Sequence, residues 1–165
     1  MGVLMRRGDI IFFYPRTLFQ RIIAKKDGKY CHCGILLSSN ACLSMTAWGV
    51  TIVTPDDYRG FHTVDVYRIV ASEETIEKLL AFLISKFDNL KYDWFGLLSF
   101  VVPFFKQRPQ RFFCSEFLLW GFALIGLHRD SICKTPKQLS EMPYLEIKGE
   151  RVKWERSNSS SQMVD

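Results

Sequence analysis

The sequence predicts an α+β fold, an antiparallel sheet from the N-terminal half packed against helices that follow it. Three observations carry this. Short β-branched and aromatic runs succeed one another between Ile10 and Val70, an apolar period of helical spacing covers Thr75–Phe87, and a second apolar helix opens at about Cys114.

Taken in order, Ile10–Tyr14 is an unbroken apolar run and reads as a buried strand. Pro15 then opens a short helical stretch to about Lys26, with Leu18, Phe19, Ile22 and Ile23 at helical spacing and Lys25 and Lys26 before Gly28. Strand candidates follow at Tyr30–Ser38, Ala41–Ala47, Gly49–Thr54 and Thr63–Val70, the first two joined by a Ser38-Ser39-Asn40 turn. Ser72 is a good N-cap, and Glu73 and Glu74 suit a first turn. Behind it Ile76, Leu79, Leu80, Leu83, Ile84 and Phe87 share one helical face. Trp94–Phe105 reads as helical or partly so, Gln107–Gln110 as a loop, and Cys114 to about Gly126 as the second helix. One domain over residues 1–156 accounts for these elements, and the polar stretch 157–165 reads as a disordered tail.

Composition narrows the function classes. The chain has 165 residues, is 48% hydrophobic and 24% charged, and carries an unusual 15% of aromatics. Those values exclude a disordered chain, a coiled coil and a collagen-like fibre. Lys and Arg outnumber Asp and Glu by 22 to 17, and the basic residues are dispersed, which disfavours nucleic acid as a partner. The basic run Lys106–Arg111 and the aromatic excess leave contact with a membrane surface open. Neither Trp94–Phe105 nor Phe112–Leu127 offers the roughly 20 uncharged apolar residues of a spanning helix. Arg6, Arg7 and Asp9 interrupt the N-terminal apolar residues, so no secretory signal is expected. Five cysteines at irregular spacing read as reduced thiols. The expectation is a cytoplasmic protein, with delivery inside a particle left open.

Three histidines limit the acid–base chemistry. In Cys31-His32-Cys33 strand alternation places both sulfurs on one face and the imidazole on the other, so the triplet is not expected to hold a metal. Cys114 stands at a helix N-terminus after a break, where free N–H groups and the helix dipole favour a thiolate, and Arg111 adds positive charge. His128 lies 14 residues further on, about 21 Å along a continuous helix. His32 is the better candidate for a base.

Gly8-Asp9-Ile10-Ile11-Phe12-Phe13, His32-Cys33-Gly34-Ile35, Lys91-Tyr92-Asp93-Trp94-Phe95-Gly96 and Phe113-Cys114-Ser115-Glu116-Phe117 together resemble the motifs of NlpC-type, papain-like cysteine amidases. The His segment precedes the Cys segment, as in the circularly permuted YaeF/YiiX-like group and in lecithin retinol acyltransferase-like enzymes. Thr135-Pro136-Lys137-Gln138-Leu139 resembles the Pro-x-x-Leu segment of that group. The resemblance implies a circularly permuted papain-like fold and a thiol hydrolase acting on an amide bond, with a peptide, a cell-wall peptide or an acylated small molecule as substrate. Cys114 would be the nucleophile, His32 the base, and Tyr92 the group beside the oxyanion. Ser44 falls at the third catalytic position, where His, Glu or Gln is usual; it can accept a hydrogen bond but offers no charge to an imidazolium. No cofactor is expected. Lipid acyl transfer or ester hydrolysis with the same pair is a second reading, and an inactive binding module, which Ser44 keeps open, is a third.

Overall fold

The computed structural model describes residues 3–46, 49–86, 91–92, 111–112, 114–128 and 135–155. Six strands form an antiparallel sheet in the order β4-β3-β2-β1-β5-β8, where β1 is Ile10–Phe13, β2 His32–Ser38, β3 Ala41–Thr46, β4 Gly49–Val53, β5 Phe61–Ile69 and β8 Leu145–Glu155. Two short strands, β6 (Lys91–Tyr92) and β7 (Arg111–Phe112), pair in parallel as a separate ribbon. The described helices are α1 (Leu18–Asp27), α2 (Glu73–Ser85), α3 (Cys114–Leu124) and α4 (Pro136–Ser140).

The apolar run of β1 is buried on both faces, one against helices α2 and α3 and the other in a second apolar cluster. Ile10 and Phe12 join a core with Leu79, Leu80 and Leu83 of α2 and Phe117, Leu118 and Phe122 of α3. Ile11 and Phe13 point the other way, into a cluster with Leu36, Cys42, Val64, Val66 and Trp154. Each large side chain so buried contributes about 1.5–3 kcal/mol of transfer free energy. Gly121 lets α3 close on α2, since a Cβ there would stand 2.6 Å from Leu79 Cδ1.

The helix starts follow their caps. Thr17 caps α1: its hydroxyl accepts from Gln20 N–H, and the Gln20 side chain accepts from Thr17 N–H, so the helix begins at Leu18 rather than Pro15. Ser72 accepts from Thr75 N–H at 3.3 Å and starts α2. Asp9, in the Gly-Asp motif, is buried and accepts from Arg68 Nε and Nη2 at 2.8 Å each, riveting β1 to β5. Asp65 is also buried and accepts from Tyr30 Oη, Lys29 Nζ and Arg151 N–H at 2.6–2.7 Å.

Strand β8 was not among the expected elements. It is an edge strand with Glu146, Glu150 and Glu155 exposed, so its sequence lacks the continuous apolar run of β1. The expected elements at Trp94–Phe105 and Gln107–Gln110 and the tail at 157–165 lie outside the described residues. Among the described residues, no helix is long and apolar enough to cross a membrane.

Candidate thiol site

Cys114 is the first residue of α3, and that helix packs on the sheet so that the sulfur, only 5% exposed, meets the β2 backbone at Cys33. Cys33 and Cys114 belong to the same helix-side core. The Cys114 thiol is held well below the ordinary thiol range. A hydrogen bond from the Cys33 side chain is the largest cause; burial opposes it, and the His32 imidazole adds its charge and a weaker polar contact. Cys42 shows the contrast: equally buried but without such neighbours, its thiol is pushed up by desolvation.

His32 opens β2, its ring 5.4 Å from that of Phe13, which belongs to the opposite core. Its Nε2 lies 2.6 Å from Ser44 Oγ, and the same hydroxyl donates to the Cys33 carbonyl at 2.7 Å. The close spacing of β2 and β3 here depends on Gly34, where a Cβ would stand 2.8 Å from Leu43 O. A side chain would force these strands apart.

The structure thus brings His32 and Ser44 into direct contact and sets Cys114 against Cys33. Tyr92 lies in β6, and its backbone pairs with Phe112, two residues before Cys114. Cys33 is the member that sequence reasoning missed as a site residue. Its contact with Cys114 depends on how α3 lies across β2, so the local sequence carries no signal for it. The expectation that Cys31 and Cys33 share a face is also corrected. Cys31 precedes β2, so strand alternation does not govern it, and it packs against the other cluster with its Sγ toward Phe13 O at 3.5 Å.

No protein-family model matches the chain, and no curated protein sequence matches it. Among solved structures, the metalloprotein YiiX from Escherichia coli O157:H7 superposes with a TM-score of 0.64 at 16% identity, over 89% of this chain and 98% of that one.

Two findings correct the expected function. The similar structure is described as that of a metalloprotein, and the described contacts do not amount to a Cys–His catalytic dyad. Physically, the imidazole is anchored to Ser44 and Phe13, while the sulfur leans first on Cys33. The readings as a thiol protease, a cysteine amidase and a cysteine hydrolase working through an acyl-enzyme are set aside, and so is lipid acyl transfer or ester hydrolysis with the same pair. What the likeness establishes is the architecture: this chain shares the mixed α and β fold of the YiiX-like structural group, a sheet packed against helices.

Proposed function

We propose that this chain is a ligand-binding module in which the Cys114 thiolate is the anchor for a small soft or electrophilic group. The single observation behind it is the Cys114 thiol, buried at the start of α3 and held well below its ordinary range by Cys33 and His32. A thiolate at a helix N-terminus is a strong nucleophile and soft donor whether or not turnover follows. In this reading the domain has the permuted papain-like arrangement, with the β2 segment placed ahead of the Cys114 helix. Cys114 is the anchor, His32 the adjoining proton carrier, Ser44 the group that orients the ring, and Tyr92 a contributor from the neighbouring ribbon.

The metalloprotein likeness suggests a metal as the soft ligand, and the donor set argues against a full protein cage for one. His32 Nε2 is already bound to Ser44, and among the described residues no group of three His, Cys, Asp or Glu side chains could hold an ion. The described residues do not fit a resident metal, and no metal-dependent step is assigned.

The test is stoichiometric labelling of the intact protein with N-ethylmaleimide near neutral pH, read by mass spectrometry and peptide mapping. One adduct forms first, on Cys114, and Cys114→Ser removes that fast phase. Labelling of Cys114 no faster than of any other cysteine would overturn the proposal.

A further inference from the structure

Helix α1 carries apolar residues that the core does not take. Leu18 is 76% exposed and Ile22 47% exposed, one helical turn apart on the same side. Arg21 and Lys25 are exposed and fall on the same face at the i+3 and i+7 positions, while Ala24 is buried. The first turn of α1 holds no acidic residue. Helical spacing of Leu18 and Ile22 would ordinarily send both to the interior, but here they stand outward among cations.

A pocket of about 330 Å³ adjoins the N-terminal end of this helix, lined by Arg16, Thr17 and Gln20 on one side and by Tyr58, Arg59 and His62 on the other. Asp57 is its acidic member, and that carboxylate accepts from Thr54 N–H and Oγ1. Arg16 Nη1 donates to Tyr58 O at 2.8 Å and ties the two walls together. On the far wall His62 is 1% exposed; its Nδ1–H donates to Thr63 O, and its Nε2 finds no hydrogen-bond partner among the described residues. The helix end itself is already satisfied by the Thr17–Gln20 capping box, so the positive character of the pocket comes from its arginines.

From these features we infer that the outer face of α1 docks onto an anionic lipid bilayer. Leu18 and Ile22 enter the boundary between head groups and acyl chains, Arg21 and Lys25 lie on lipid phosphates, and the Arg16–Arg59 pocket seats one phosphate head group. Aliphatic side chains alternating with cations on an exposed helix face are complementary to an anionic interface. The chain's net charge of +5 favours the same approach. Each cation at such a surface strengthens binding roughly fivefold.

Sedimentation of the full chain with vesicles tests this, using phosphatidylcholine alone or with about 30% phosphatidylserine, at about 0.1 M and about 0.5 M salt. The chain pellets with the anionic vesicles at low salt and at least tenfold less at high salt or without phosphatidylserine. Leu18→Ser with Ile22→Ser, and separately Arg21→Glu with Lys25→Glu, each weaken binding at least tenfold while leaving the thermal melt unchanged. Arg59→Ala weakens it roughly fivefold. Absence from the anionic pellet, equal pelleting with neutral vesicles, or wild-type binding by either double variant would overturn the inference. Loss of Cys114 labelling plays no part in this readout, so the two proposals fail independently.

Discussion

Ser44 Oγ stands 2.6 Å from His32 Nε2 and 2.7 Å from the Cys33 carbonyl oxygen, and a carbonyl can only accept. The single hydroxyl proton therefore goes to Cys33, and Ser44 must accept the Nε2–H of His32. That assignment fixes the ring's orientation: Nε2 is the nitrogen that faces Ser44 with its N–H. Ser44→Ala removes both bonds. It lowers stability by about 1–2 kcal/mol and raises the pH at which Cys114 becomes reactive. Urea denaturation and the pH profile of Cys114 alkylation check the two effects separately.

Cys33 has the larger hold on the Cys114 sulfur, ahead of the His32 charge. Cys33→Ala deletes the hydrogen bond while keeping a small apolar side chain in the core. The apparent Cys114 pKa rises further in Cys33→Ala than in His32→Gln, as read by thiolate ultraviolet absorbance. The reverse order would make the imidazole the principal partner.

Acid weakens the fold in two stages. Burial depresses the His62 pKa, with its own backbone bond to Thr63 opposing. A His whose folded pKa lies below its unfolded value of about 6.5 favours folding above that value and loses the benefit as pH falls. Burial alone would raise Asp65, but Lys29, Tyr30 and the Arg151 N–H outweigh it, and the pKa falls. Its contribution is full above the unfolded value of about 3.9 and is lost as pH drops through the folded one. Lys29, raised to about 12 chiefly by Asp65 against its own desolvation, contributes below about 10.4 and loses that contribution as pH climbs toward 12. Thermal melts across pH show a first decline below about 6.5, which His62→Phe removes, and a second below about 4, which it does not.

Asp9 belongs to the Gly-Asp motif but serves the frame. Its carboxylate is taken by Arg68 and by the Arg6 N–H at 2.9 Å. Asp9→Ala leaves Arg68 without its partner and costs about 3 kcal/mol, with no change in the pH profile of Cys114 alkylation in the folded protein. A shifted profile would show that Asp9 acts on the thiol.

Much of the frame is legible in the sequence where local and tertiary forces agree. β1 reads as a buried strand because it is interior and apolar on both faces, and α2 reads as a helix because Ser72 and the leucines of its core face point to the same element. β8 escapes because an edge strand need not be apolar, and its residues also carry a bulge near Gly149 where the pairing with β5 shifts. In the site, Cys114 at a helix start and Ser44 beside His32 were both readable, the first from the break before α3 and the second from motif position. The role of Cys33 was not. It depends on how α3 lies across β2, a long-range packing relation that no local spacing encodes. Leu18 and Ile22 mislead for a related reason: helical period shows that they share a face and does not say which way that face turns.

The most direct test measures the rate of Cys114 alkylation as a function of pH, with Cys114→Ser as the blank. A midpoint well below the ordinary thiol value of about 8.5, with Cys114 reacting ahead of Cys42, is the predicted result. A midpoint at or above that value would contradict the account, leaving Cys114 an ordinary buried thiol.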